Sequence, residues 1–114
     1  MPSANAEPIQ WTNDPKVWEG EFEGHLYGSG VTIIFTLTGQ GEGPELHKYP
    51  YTETFVSRQG EVLFTVGDRQ IRARAGQIII APADTPHKFT NGGTGLVEMI
   101  DIHASDKIIN EWLE

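Results

Sequence analysis

Glycine and proline residues are scattered along the whole chain, and this pattern constrains the fold more than any other feature of the sequence. The 114 residues include 13 Gly and 7 Pro, which fall between short runs rich in Val, Ile, Thr and Phe. Because Gly and Pro end regular elements, long helices are disfavoured over most of the chain. The distribution of Gly and Pro, together with the length of the chain, predicts one domain built of many short β-strands.

The runs between these breaks alternate in polarity as strands do. Residues 31–38 are the clearest example, because apolar Val31, Ile33, Phe35 and Leu37 occupy every second position. The Gly67-Asp68 dipeptide is predicted to form a hairpin turn between residues 61–66 and 70–73. Three more strands are predicted over residues 77–81, 87–90 and 96–103.

Residues 105–113 are the one segment whose pattern favours a helix. Ser105 is a suitable N-cap, and Asp106 lies where the positive end of the helix dipole would be. Ile108, Ile109, Trp112 and Leu113 would share one side of this helix. We expect the helix to pack on the outside of the β-domain.

Composition excludes several kinds of function. The chain has 16 acidic and 8 basic residues, a net charge of -8 and no cluster of Lys or Arg, so nucleic acid is not expected as a partner. It has no Cys, so any metal must be held by nitrogen and oxygen ligands. The N-terminus lacks the features of a signal peptide, and no apolar run is long enough to span a bilayer. These features predict a soluble, cytoplasmic protein with no membrane partner.

Two spaced motifs carry the residues suited to chemistry. The first contains Gly41, His47, Tyr49, Glu53 and Gly60, and the second contains Gly76, Pro82, His87 and Asn91. Because His47 and Tyr49 are two residues apart, their side chains leave the same face of an extended strand. The direction of Glu53 depends on the turn at Pro50, and His87 must arrive from a later strand. The glycines are expected to permit tight turns with positive φ.

The paired spacing resembles the signature of the cupin superfamily over roughly residues 30–103. Two positions depart from it, since Tyr49 stands where the family usually has a second His and Asp84 where it usually has Gly. We interpret Asp84 as a turn residue. The resemblance implies an all-β, double-stranded β-helix barrel of jelly-roll type, whose topology the strand pattern alone leaves open. It divides the chain into an N-terminal segment (1–29) packing on the barrel or on a dimer partner, the barrel (30–104) and the C-terminal helix (105–114).

The resemblance also implies that His47, Glu53 and His87 point into one end of the barrel and bind a divalent cation. Two imidazoles and one carboxylate suit Fe, Mn, Zn or Ni, and they are the ligand set of non-haem Fe(II) oxygenases. Tyr49 stands in the position of the usual fourth ligand. A phenol with an ordinary pKa of about 10 is a poor ligand, so Tyr49 either ligates directly or acts beside the metal by hydrogen bonding or acid–base chemistry.

Two His and two Trp residues outside the motifs are also candidates for a role in the site or the core. His103 or His25 could replace the missing ligand, but either face of the strand that carries His103 could point inward. Trp11 and Trp18 are expected to be packing anchors of the N-terminal segment.

Three functions fit these observations. The first is a metal-dependent, dioxygenase-like enzyme acting on a small organic substrate. The second is a barrel that binds or senses a small ligand without catalysis. The third is a metal-free isomerase with His47 or His87 as general base and Tyr49 as general acid. We expect a homodimer formed through barrel edges, with Trp11 and Trp18 contributing to the contact.

Overall fold

A computed structural model describes residues 7–114, which form short β-strands joined by turns and one 3₁₀ helix, Gly24–Leu26. The strands are β1 (Gly20–Glu23), β2 (Thr32–Thr38), β3 (His47–Lys48), β4 (Glu53–Gln59), β5 (Glu61–Val66), β6 (Arg69–Arg74), β7 (Ile78–Ala81), β8 (His87–Asn91), β9 (Val97–His103) and β10 (Glu111–Trp112). Within this part of the chain, no helix is long and apolar enough to cross a membrane.

The strands form two five-stranded sheets. The first has the order β1-β2-β9-β4-β7 and the second the order β10-β3-β8-β5-β6, and the paired strands run antiparallel. Most neighbours in each sheet are distant in sequence, as in a jelly roll, where successive strands cross from one sheet to the other. The predicted all-β jelly-roll barrel is therefore confirmed.

The apolar core lies between the sheets and is centred on three phenylalanines. Phe55, Phe64 and Phe89 come from β4, β5 and β8, and their ring centroids are 4.9 to 5.8 Å apart. Burial of each ring stabilises the fold by about 1.5–3 kcal/mol. The rest of the buried core is Val62, Ala73, Ala81, Val97 and Met99. The Phe55 ring also lies 5.9 Å from that of His87, so the core forms the floor of a polar end of the barrel.

The apolar face of β2 turns away from the barrel interior and is covered by the N-terminal segment. Phe35 stacks on Trp11 with 4.0 Å between ring centroids, and the edge of Trp18 meets the same ring at 5.4 Å. The Trp18 Nε1–H donates a hydrogen bond of 2.9 Å to the carbonyl of Met99, and the Arg58 guanidinium lies 4.0 Å from the Trp18 ring centre. Both tryptophans thus pack against their own chain.

Replacing Trp18 with Phe is expected to lower the free energy of unfolding by about 1 kcal/mol. The aromatic contact with Phe35 is kept, but the hydrogen bond to the Met99 carbonyl is lost. Urea unfolding followed by circular dichroism measures this. Trp112→Phe is the matched control, since Trp112 is 60% exposed, and it should change stability by less than about 0.5 kcal/mol. Equal effects in the two variants would contradict the assigned role of the indole N–H.

The predicted helix over residues 105–113 is wrong. Residues 105–110 have no regular structure, and Glu111–Trp112 form β10, which pairs with β3. The Leu113 N–H then donates to the Leu46 carbonyl at 2.9 Å. A segment this short lies below the roughly 12–15 residues that sustain a helix alone. The open edge of β3 offers backbone partners instead.

The predicted turns are present and join the two motifs. A two-residue loop at Gly67-Asp68 connects β5 to β6, as predicted. Asp84 has a φ of 59°, which Asp tolerates better than most side chains. Its N–H donates a 2.8 Å hydrogen bond to the carbonyl of Tyr49. This bond ties the turn before β8 to the end of β3.

Candidate metal centre

Three buried side chains from both sheets converge at the polar end of the barrel. His47 on β3 is directly paired with His87 on β8, while Glu53 begins β4 in the other sheet. Each of the three side chains is at most 3% exposed. One potential ligand atom from each lies within 4.8 Å of the others. The structure thus brings together the three residues that the cupin resemblance implied.

The two histidines are held in the tautomer that a metal requires. His47 Nδ1 lies 2.7 Å from the Glu45 carbonyl, and His87 Nδ1 lies 2.9 Å from the Thr85 carbonyl. A carbonyl only accepts, so each Nδ1 must carry the hydrogen, and the Nε2 of the neutral ring keeps its lone pair. Burial lowers the pKa of His47 and so favours its neutral form.

The contact between His87 and Glu53 is favourable only when a positive charge lies between the two groups. His87 Nε2 is 2.9 Å from Glu53 Oε1, so His87 faces an acceptor with each ring nitrogen. Either a second proton or a cation must separate the Nε2 lone pair from the carboxylate. The three residues offer nitrogen and oxygen ligands within 4.8 Å of one another, which suits a divalent cation.

The second oxygen of Glu53 is occupied by His103. His103 is 2% exposed, and its Nε2 lies 3.3 Å from Glu53 Oε2. Its Nδ1 is 2.8 Å from the Tyr51 hydroxyl, whose oxygen also accepts from the Ile109 N–H at 3.4 Å. Because a carboxylate oxygen only accepts, this contact is favourable when the His103 hydrogen lies on Nε2 and Nδ1 accepts the hydroxyl proton of Tyr51. This tautomer is the opposite of the one in His47 and His87, and it suits a residue that positions Glu53.

Tyr49 lies beside the three convergent residues. Its ring centroid is 5.1 Å from that of His47 and 4.7 Å from that of His103. Burial, with a smaller contribution from the charge of Glu53, raises the pKa of Tyr49 far above its usual value. The phenol is therefore neutral and able to donate a hydrogen bond into the site.

These side chains line a cavity of about 260 Å³. Its lining consists of Ile34, Thr36, Pro44, His47, Tyr49, Glu53, Phe89, Asp101, His103, Ile108 and Trp112. The C-terminal segment contributes Ile108 and Trp112, and the Trp112 ring lies 5.2 Å from the His47 ring. The segment that was expected to form an external helix therefore forms part of the cavity wall.

Asp101 is a buried carboxyl group in this cavity without a compensating partner. It is 5% exposed, and its Oδ1 has no hydrogen-bond partner among residues 7–114. Burial, followed by the negative charge of Glu53, raises the pKa of Asp101 well above its ordinary value of 3.8. The structure thus favours the neutral acid at this position.

We expect the stability of Asp101→Asn relative to wild type to rise with pH. Because the folded pKa of Asp101 lies above 3.8, the unfolded chain releases this proton first, and wild-type stability falls as the pH rises above that value. Asn has no proton to release, so the variant should be favoured by on the order of 1 kcal/mol at about pH 7 and by little at about pH 4. Urea unfolding with a chelator present measures the difference. A difference independent of pH would contradict the prediction.

Comparison with known protein families identifies the family of this chain. The sequence model of the cupin domain matches residues 33–103, which is more than half of the chain. This chain is a member of the cupin family. No curated protein matches it significantly.

Solved structures resemble this cupin in fold at low sequence identity. A Klebsiella pneumoniae protein with a double-stranded β-helix domain is 18% identical, with a TM-score of 0.71 over 100% of this chain and 90% of that one. A cupin superfamily protein from Desulfitobacterium hafniense is 23% identical, with a TM-score of 0.61, and the match covers 65% of this chain and 66%, just under two thirds, of that one. Bacillus subtilis oxalate decarboxylase, which has Mn(II) centres, is 20% identical, with a TM-score of 0.76 over 82% of this cupin and 27% of the enzyme.

The motifs of this cupin identified only part of the site. His103 proves to be inward, whereas His25 lies outside the site, where it is exposed and pairs with Glu23 at 3.4 Å. Asp101 and Tyr51 were not recognised as site residues from sequence. A signal for Asp101 existed, because it shares a face of β9 with His103.

Proposed function

We propose that this protein is a small metal-dependent cupin that holds a divalent cation on His47, Glu53 and His87 and acts on a small organic substrate. The observation that carries the proposal is the pair of Nδ1–H bonds to backbone carbonyls, which leave both Nε2 lone pairs free, that of His87 at 2.9 Å from the buried Glu53 carboxylate. Groups that fix metal-binding imidazoles in this way are typical of functional metal sites. The Mn(II) centres of oxalate decarboxylase, which shares this fold, give further support.

A bound Fe, Mn, Zn or Ni ion would act as a Lewis acid on a substrate oxygen, and Fe would also permit dioxygenase-like chemistry. The chain's own groups act around it. The neutral Tyr49 hydroxyl can donate a hydrogen bond to a bound substrate and keep its proton. Phe89 and Trp112 supply apolar surface to the cavity wall. His103 holds the orientation of the Glu53 carboxylate.

The test is elemental analysis of protein purified without chelator, before and after incubation with Fe(II), Mn(II), Zn(II) and Ni(II). We expect about one ion per chain, as three protein ligands define a single site. Oxygen consumption with panels of small organic compounds then tests for dioxygenase chemistry. Protein that remains metal-free after all four incubations would overturn the proposal.

One observation favours the metal-free isomerase as a second candidate. The Tyr51 hydroxyl, His103 and Glu53 form a connected chain of groups that can exchange protons, with contacts of 2.8 Å and 3.3 Å. Activity that survives exhaustive chelation would favour this candidate. Ligand binding without turnover would instead identify a carrier or sensor.

We also infer a homodimer. β7 lies at the edge of its sheet, and its Ile78 and Ile80 side chains are 59% and 57% exposed. An apolar edge strand is prone to pair with another chain, and a second copy would cover it. Light scattering that returned the mass of one chain would contradict the homodimer.

A further inference from the structure

Two polar atoms beside the cavity lack hydrogen-bond partners within the part of the chain that the structure describes. These are Asp101 Oδ1 and Thr36 Oγ1, both buried from solvent, and their residues line the same 260 Å³ space. In the register of β2 and β9, Asp101 is paired with Ile34, and Thr36 lies two residues further along β2. Because side chains two apart share a face, Thr36 is the diagonal neighbour of Asp101 on the inner face of this sheet.

Such unpaired groups are uncommon and costly. Most buried polar atoms in folded proteins have a partner, and leaving one unpaired lowers stability more than a made hydrogen bond raises it. Asp101 is 5% exposed, so bulk water does not compensate it. Neither atom is itself accessible from the cavity, so a ligand reaches them only when the two side chains rotate toward it, and it then supplies the missing partners of both groups.

The charges and walls of the cavity restrict that ligand. Its lining contains the carboxyl groups of Glu53 and Asp101 but no Lys or Arg. A substrate carboxylate placed against Asp101 would meet a group that offers it no positive charge and becomes repulsive when ionised. Ile34, Phe89 and Trp112 supply apolar walls. The space is small by the standard of ligand pockets, which span about 300–1,000 Å³.

We propose that the cavity selects a small uncharged molecule that both donates and accepts hydrogen bonds, as a primary amide does. The donor N–H pairs with Asp101, and the acceptor carbonyl takes the hydrogen of the Thr36 hydroxyl. The proposal assigns a substrate class to the proposed metal site and to that extent rests on it, but the recognising groups are not the residues that hold the metal. A preference for uncharged ligands would distinguish this protein from an enzyme that binds dicarboxylates.

Three aromatic probes of nearly equal size test this selection. Benzamide is neutral with an N–H donor, methyl benzoate is neutral without a donor, and benzoate is an anion. Dissociation constants are measured by ¹H–¹⁵N chemical-shift titration at neutral pH, with metal-loaded and with chelated protein. Benzamide is expected to bind with a Kd on the order of 1 mM, about tenfold more tightly than methyl benzoate in both forms. In chelated protein it should also bind about tenfold more tightly than benzoate.

Variants locate the selection. Asp101→Leu has a similar shape without the carboxyl group and should make the affinities for benzamide and methyl benzoate equal, while Asp101→Asn should retain part of the preference. Thr36→Val should weaken benzamide binding by about threefold to tenfold. Thr90→Val is the matched control, because Thr90 is an exposed strand residue, and it should leave all three affinities unchanged.

The outcomes separate this proposal from the metal site. Benzoate binding as tightly as benzamide to the chelated protein, no saturable benzamide binding, or a preference unchanged in Asp101→Leu would each overturn it. Metal content is measured on the same samples. Protein that never holds metal but prefers the amide would reject the metal function and support the selection, and metal-loaded protein without the preference would do the reverse.

Discussion

His47→Ala and His87→Ala are each expected to reduce the metal content of the purified protein from about one divalent ion per chain to nearly none. Each substitution removes one of the three proposed ligands and leaves a carboxylate and a single imidazole. His87→Ala should have the larger effect on Glu53, because it removes the group 2.9 Å from Oε1. A buried carboxylate without that partner is also costly, so the metal-free variant should be less stable than the wild type.

Elemental analysis after incubation with each metal measures this effect, and circular dichroism verifies the fold of each variant. His25→Ala is the matched control, since the His25 side chain is exposed and pairs with Glu23 on the surface, and it should keep the wild-type metal content. Full metal content in both His47→Ala and His87→Ala would show that any bound ion lies elsewhere. Loss of metal in His25→Ala as well would point to a nonspecific effect.

The second large effect on metal affinity is expected at residues that are not proposed as metal ligands. His103→Ala should weaken metal affinity by about 10- to 100-fold, because the Glu53 oxygen that His103 now contacts at 3.3 Å becomes free to rotate or to bind water. Tyr51→Phe should weaken it by about tenfold, because loss of the hydroxyl lets the His103 proton move to Nδ1 and turns a lone pair toward the carboxylate. Competition with a chromophoric chelator measures both affinities.

A spectroscopic readout separates positioning from mere structural support. In wild-type protein, ¹⁵N NMR of His103 should show the hydrogen on Nε2, and in Tyr51→Phe it should show a mixture of tautomers. His103→Gln, whose amide can still donate to Glu53, should recover part of the affinity lost in His103→Ala. Equal losses in the Gln and Ala variants, or a His103 hydrogen on Nδ1 in the wild type, would contradict the positioning role.

The three convergent residues could be predicted from sequence because the two motifs resemble the cupin signature at their positions. His47, Glu53 and His87 occur at the motif positions, and they meet in the structure. The inward side of His103 could not be predicted, because both faces of β9 carry apolar residues. β9 is flanked by β2 and β4 in the middle of its sheet, and the outer face of that sheet is covered by aromatic side chains of a distant segment. Alternation alone therefore leaves the inward face undetermined.

The same ambiguity explains the error at the C-terminus. Helical spacing is shown by four apolar residues of this segment, Ile108, Ile109, Trp112 and Leu113. In so short a segment, the spacing of apolar residues does not determine whether a helix forms. In the folded chain Ile108 and Trp112 line the cavity, although Trp112 stays 60% exposed, and Trp112 pairs in register with His47 on β3. Tertiary contacts of this kind override a weak local preference. The strands between the Gly and Pro residues were predicted more readily, because turns and alternation are both local.

The position of Trp112 gives the protein an intrinsic optical probe. Of its three tryptophans, Trp11 and Trp18 lie together at 5.6 Å on the outer face of a sheet, whereas the Trp112 ring is 5.2 Å from the His47 ring. Paramagnetic Mn(II) or Fe(II) at the site should quench the emission of Trp112, and diamagnetic Zn(II) should not. Occupancy of the site can then be followed in real time without a label, with the Trp11 and Trp18 pair as an internal reference.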